Sequence, residues 1–126
     1  MEAQYLGKHL IAEFYGCSPD VLDNAPFLEQ LLERAVRKAG GNIIGKIFHR
    51  FTPQGVTGII AISESHVSIH TWPENGYMAL DAFTCGKEMD PWIVYREIRA
   101  HVKAERVKVL ELKRGEYAEL KKAEAV

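Results

Sequence analysis

Residues Ser63 to Glu74 read Ser-Glu-Ser-His-Val-Ser-Ile-His-Thr-Trp-Pro-Glu, so nucleophilic, acidic and basic side chains crowd into one short stretch. The flanking segments are rich in Ile, Val and Ala, and this stretch places polar groups where a core would favour apolar ones. By residue type alone, Ser, Glu and His fit an ordinary turn beside a strand. Spacing adds to the pattern. From Val67 to Trp72 the residues alternate, with Val67 and Ile69 on one face and Ser68, His70 and Trp72 on the other. His70 is therefore expected beside Trp72 and a short turn away from Ser65. A base near a serine is the arrangement that activates a hydroxyl.

Three chemistries compete for these residues. A serine hydrolase needs a strained nucleophile turn of the Gly-x-Ser-x-Gly kind, and the chain contains none. A metal site could draw on His66 and His70 with Cys85 as a third ligand. Two histidines four apart converge on a helix rather than on an alternating strand, and no fourth ligand is evident, so no metal is expected. Backbone self-cleavage between Glu64 and Ser65 asks only for a serine hydroxyl beside its own preceding carbonyl and a nearby base. Both are present.

The elements that must position this stretch are legible from periodicity. Tyr5 to Tyr15 reads as an opening strand. Ser18-Pro19-Asp20 and Asp23-Asn24-Ala25-Pro26 carry helix-start chemistry: side-chain oxygens to cap free amides, and a proline tolerated in the first turn. Leu28, Leu31, Leu32, Ala35, Val36 and Ala39 follow helical spacing, and Gly40-Gly41 ends the helix. The period then changes to two. Strands are expected over Asn42 to Phe51, Val56 to Ser63, Val67 to Trp72 and Tyr77 to Thr84, with turns at Thr52 to Gly55 and Pro73 to Gly76. Short turns imply antiparallel neighbours. Asp90-Pro91 opens a second helix with Pro91, Val94, Tyr95, Ile98, His101 and Val102 on its buried face. Val107 to Leu112 reads as the last strand, and Gly115 to Val126 as a polar tail, helical at most. This is an α+β chain: a two-layer sandwich, mostly antiparallel, with two helices on one face of the sheet. The other face lacks helices, and a partner subunit is expected to cover it.

Bulk composition agrees with one domain. The chain has 126 residues, 47% hydrophobic and 26% charged, with a formal net charge of −1. A chain of this size buries roughly two-thirds of the surface that its unfolded form exposes. Near-neutral charge gives no electrostatic attraction to nucleic acid or to an anionic membrane. The N-terminal segment lacks a signal peptide's apolar stretch, and no run approaches the roughly 20 apolar residues of a membrane helix. The chain reads as cytoplasmic. Cys17 and Cys85 are its only cysteines, neither in a Cys-x-x-Cys pair, and both are expected as free thiols.

These residues resemble the small prokaryotic S-adenosylmethionine decarboxylase proenzymes, which depend on a pyruvoyl group. The resemblance runs through Gly7-Lys8-His9, Glu13-Phe14, His49-Arg50-Phe51, Pro53-Gln54-Gly55-Val56-Thr57-Gly58, Ile62-Ser63-Glu64-Ser65-His66, Ile69 to Glu74, Gly76-Tyr77, Phe83-Thr84-Cys85-Gly86, Asp90-Pro91 and Arg114-Gly115. It covers most of the chain and fades only in the last dozen residues. What it implies is specific. Ser65 Oγ attacks the Glu64 carbonyl, and the peptide bond becomes an ester. His70 takes the Ser65 α-proton, and the eliminated product hydrolyses to a pyruvoyl group and ammonia. Residues 1–64 become a β chain and 65–126 an α chain. The covalent pyruvoyl group derived from Ser65, with no metal and no pyridoxal phosphate, forms a Schiff base with S-adenosylmethionine and accepts electrons as CO₂ leaves. Cys85 is the expected proton donor, since a thiol is largely protonated near neutral pH.

By the same resemblance Phe51 stacks on adenine, Glu74 holds the ribose hydroxyls, and the product is the aminopropyl donor for spermidine. A homodimer of αβ units is expected, with sites near the interface. Thr57 departs from the pattern: a serine hydroxyl that assists processing is expected there, and the extra methyl restricts χ1. Slower cleavage follows. Two other readings stay open from sequence, a pyruvoyl-dependent arginine decarboxylase of the same superfamily and an uncleaved, non-catalytic subunit.

Overall fold

The computed structural model describes residues 4–63, 65–85 and 89–124. Strand β1 (Tyr5–Tyr15) is followed by the short helix α1 (Pro19–Leu22) and by α2 (Ala25–Lys38). Strands β2 (Ile43–Arg50), β3 (Val56–Ile62), β4 (Ser65–Trp72) and β5 (Tyr77–Thr84) come next. Helix α3 (Pro91–Val102), strand β6 (Arg106–Glu116) and helix α4 (Tyr117–Glu124) complete the chain. The strands form one six-stranded sheet in the order β2-β3-β4-β5-β1-β6, antiparallel at every junction. The expected two-layer α+β sandwich is what the chain forms.

Local chemistry explains the helices. The Asn24 side chain accepts the Phe27 N–H at 3.1 Å and caps α2, with Pro26 in the first turn where no amide hydrogen is needed. Gly40 and Gly41 return their N–H groups to Arg37 and Val36 and stop the helix. Asp90 caps α3 by accepting the Trp92 N–H at 3.0 Å. Buried Leu28, Leu31, Leu32, Ala35 and Val36 face the same core as Val94, Tyr95, Ile98 and Val102 of α3. His101, expected on that buried face, is exposed, and its Nδ1 lies 2.9 Å from the Glu97 carbonyl oxygen. The face is complete without it.

The sheet supplies the other half of the core. Leu10, Ala12 and Phe14 alternate inward from β1, Ile60 and Ile62 from β3, Val67 and Ile69 from β4, and Met78, Leu80 and Ala82 from β5. Register stacks them in rows, Ala12 beside Leu80 and Leu80 beside Ile69. Each fully buried Leu or Ile contributes about 1.5–3 kcal/mol by leaving water. Cys17 sits among them as a free thiol, and burial pushes its pKa up to about 11. No described helix covers the opposite face, which exposes Ile47, Ile59, Trp72, Leu110 and Leu112. No described helix is long and apolar enough to cross a membrane.

Candidate active site

Ile62 pairs with Ser65, so β3 and β4 are joined by Ser63 and Glu64 alone. Glu64, the expected residue on the N-terminal side of the cut, lies outside the described residues. Its predecessor is held from the edge of the sheet. The Asn42 carbonyl accepts the Ser63 N–H at 3.1 Å, and Asn42 Nδ2 donates to Ser63 Oγ at 2.8 Å. Ser65 heads β4 and is half-buried. Cys85, also half-buried, follows the end of β5 at this same end of the sheet, where Phe83 pairs with His66.

The remaining expected residues gather at the other end. Thr57 pairs directly with His70 across β3 and β4, and Thr57 Oγ1 lies 3.1 Å from His70 Nδ1. Phe51 follows β2 there, its ring edge-on to His49 at 4.5 Å between centroids. Trp72 stacks on Tyr77 at 5.3 Å and lies 6.4 Å from the His70 ring. Glu74 is exposed on the 3₁₀ turn Pro73–Asn75, which Gly76 closes in the left-handed region at φ 60°.

This geometry corrects one expectation. Ser65 and His70 are not separated by a turn; both belong to the unbroken strand β4. Five residues of strand span about 16 Å, and an odd offset puts the two on opposite faces. The chain thus carries two groups of site residues at opposite ends of its sheet: Ser65 with Cys85, and Phe51, Thr57, His70 and Glu74. His66 and His70 share a face but stand about 13 Å apart by the same rise, too far to share an ion. Among the described residues no three His, Cys, Asp or Glu side chains are grouped to hold a metal.

The helix-free face also carries polar clusters to which the sequence assigned no role, although His9, Glu13, Tyr77 and Arg114 stand in the motifs of the resemblance. Glu13 accepts from Tyr77 OH at 2.6 Å and from Tyr15 OH at 3.0 Å. Burial, then the bond to the Glu13 carboxylate, pushes the Tyr77 phenol well up, and the Glu13 bond raises Tyr15. His9 Nε2 lies 3.0 Å from Asp81 Oδ1, and Arg114 Nη1 reaches His9 Nδ1 at 3.4 Å. Arg114 can only donate, so Nδ1 accepts and Nε2 carries the proton given to Asp81. A signal existed: period two places His9, Ile11, Glu13 and Tyr15 on one face of β1, and three of the four are polar or titratable.

The family model described as S-adenosylmethionine decarboxylase matches residues 8–115. The chain is 50% identical over 115 residues to the S-adenosylmethionine decarboxylase proenzyme of Thermotoga petrophila, covering 91% of this chain and 88% of that one. It is 48% identical over 110 residues to the proenzyme of the same name from Caldicellulosiruptor saccharolyticus, covering 87% and 89%. Its fold is similar to the crystal structure of the adenosylmethionine decarboxylase from Aquifex aeolicus, with a TM-score of 0.84 and 34% identity, covering 90% of this chain and 93% of that one.

Proposed function

The chain belongs to the S-adenosylmethionine decarboxylase family, and on that premise we propose that it cuts itself between Glu64 and Ser65 and works as a homodimer. Its reaction releases CO₂ from S-adenosylmethionine and leaves the aminopropyl donor of polyamine biosynthesis. One observation carries the detailed reading: the Thr57–His70 contact at 3.1 Å lies at the opposite end of β4 from Ser65.

Processing needs only side chains of this sequence and water. Ser65 Oγ attacks the Glu64 carbonyl carbon, and the peptide C–N bond gives way to an ester that frees the Ser65 amine. A base removes the Ser65 α-proton, the Glu64 carboxylate departs, and dehydroalanine remains at position 65. Water then replaces its nitrogen, releasing ammonia and leaving the pyruvoyl carbonyl. Ser65 suits this role because it stands half-buried at a two-residue connection whose first residue is tied to Asn42. His70 suits the base: when its Nδ1–H is donated to Thr57 Oγ1, the Nε2 lone pair is left free. Roughly 16 Å of strand separates His70 from the Ser65 of its own chain, so the base at each Ser65 comes from a second copy. The helix-free face, which carries His70 and exposes Ile47, Ile59, Leu110 and Leu112 beside its polar clusters, is the surface such a copy would bury, and Ser65, the first residue of β4, would be met at the end of the sheet.

The same joining brings the Phe51 ring and the Glu74 carboxylate of one copy to the Ser65 and Cys85 of the other. Phe51 offers a flat face for adenine and Glu74 an acceptor for the paired ribose hydroxyls. The pyruvoyl group supplies an electrophilic carbonyl for the substrate amine and an acceptor for the electrons left by CO₂. Cys85 returns a proton to the substrate carbon. Cys85→Ser should therefore cleave at the normal rate yet release CO₂ about 10²- to 10³-fold more slowly, the usual cost of losing a proton donor. Intact mass and CO₂ release from carboxyl-labelled substrate read the two steps separately; wild-type turnover in that variant would remove Cys85 from the mechanism.

Thr57 gives a graded test of processing. Thr57→Val removes the partner of His70 Nδ1 and should lengthen the cleavage half-life up to about tenfold, the worth of one partly buried polar contact. Thr57→Ser keeps the hydroxyl and frees χ1, and should cleave at least as fast as wild type. Gel densitometry against time after synthesis measures both. Equal rates for Val and Thr would show that the hydroxyl is idle.

A further inference from the structure

Asp23 lies between α1 and α2, where its sequence context suggests a helix cap, but Asn24 supplies that cap. The Asp23 carboxylate instead crosses to the connection between β2 and β3. Its Oδ2 accepts from Arg50 Nη2 at 2.7 Å and its Oδ1 from the Gly55 N–H at 2.9 Å. These partners bracket Phe51: Arg50 precedes it, and Gly55 ends its turn. Gly55 adopts φ 106°, which favours glycine, and its carbonyl accepts the Phe51 N–H at 2.8 Å. Arg50 also donates to the Pro53 carbonyl at 3.4 Å. The Arg50 hydrogen bond first, then the Gly55 N–H, hold the Asp23 carboxyl below the usual carboxylate range.

The platform under Asp23 is itself fixed. Thr71 Oγ1 donates to the Leu22 carbonyl at 2.7 Å and accepts the Val56 N–H at 2.9 Å, which ties α1 to β3 and β4 beside His70. Phe51, by contrast, is 47% exposed, so its ring position depends on the backbone of its turn more than on side-chain packing. We propose that Asp23 is a positioning residue for the substrate's base, bracketing the Phe51 turn so that the ring is held ready to stack. This rests on the reading of Phe51 as the adenine platform. Pre-ordering the turn removes an entropy loss that binding would otherwise carry.

The test is steady-state kinetics on fully cleaved enzyme with S-adenosylmethionine, using Asp23→Ala, Asp23→Asn, Arg50→Gln, the Asp23→Ala/Arg50→Gln pair and Phe51→Ala. Phe51→Ala should raise KM about tenfold or more, the scale of base stacking on an aromatic ring. Asp23→Ala should raise KM about three- to tenfold while kcat changes less than about twofold, the pattern of lost uniform binding. Asp23→Asn keeps a neutral acceptor for Gly55 and should fall between Asp23→Ala and wild type. Arg50→Gln, at an exposed side chain, should raise KM modestly and add little to Asp23→Ala, because both cut one bracket. If Phe51→Ala raises KM and Asp23→Ala does not, the bracket is wrong and the platform stands. If Phe51→Ala leaves KM unchanged, the platform is wrong and the bracket's role in binding goes with it.

Discussion

Ser65→Ala should leave a single full-length chain and no decarboxylase activity above background, whereas the wild type should resolve into two fragments that stay together until denatured. Two separate needs converge on this side chain. In the proposed reaction its Oγ is the nucleophile that opens the Glu64–Ser65 peptide, and its Cα and Cβ become the ketone and methyl carbons of the pyruvoyl group. Alanine removes the first and so never reaches the second. The attack is intramolecular, and a correctly placed hydroxyl gains an effective concentration of about 10⁵ M or more over an external one. Buffer nucleophiles therefore do not rescue the alanine chain. Mass spectrometry reads the result directly: the C-terminal fragment of the wild type should be lighter than its serine sequence by one ammonia. A wild type that stays whole through prolonged incubation would mean the chain does not process itself, and activity would have to be sought in a binding role. Fragments from the alanine chain would point to a different cut.

The same Ser65 shows what local sequence can and cannot deliver. Clean alternation gave β1 and β5 the bounds that the structure has, Tyr5–Tyr15 and Tyr77–Thr84. It undershot β4, which starts at Ser65 because Ile62 pairs with it, and β6, which runs to Glu116 because Tyr5 at the far end of β1 still has a partner there. Pairing partners are set by the sheet, and a strand's own period does not contain them. The tail expected to be helical at most is helix α4 from Tyr117. Asp23 read as a cap because Asp, Asn and Pro together carry capping chemistry; which carboxylate reaches Gly55 is a tertiary fact. The expected site residues come from residue type and resemblance. Their division into two groups was missed, because closeness in sequence stood in for closeness in space. Along a helix, five residues cover about 7.5 Å, but along a strand they cover about 16 Å and change face.

That division yields a test in which two dead chains restore one another. His70→Ala alone should remain almost wholly uncleaved, since a missing general base slows proton removal about 10²- to 10⁴-fold. Ser65→Ala alone should remain whole for the reason given above. Mixed under conditions that exchange subunits, they form heterodimers with one intact pair, Ser65 from the first chain and His70 from the second, and one pair lacking both. Random exchange places half of the His70→Ala chains in heterodimers, so about half of them are cleaved, and repeated exchange carries the fraction higher. Only the His70→Ala chain is cut; a size tag on one partner identifies it. CO₂ release rises from background in step with the cut. A mixture in which neither chain is cut, although exchange is verified by the tag, would place the base and the nucleophile in one copy. The 3.1 Å contact between Thr57 and His70 would then be structural, and β4 would have to bend before the reaction. Cleavage in the mixture means instead that the unbroken strand is what keeps each chain from processing alone: it holds nucleophile and base apart until the second copy supplies the missing half.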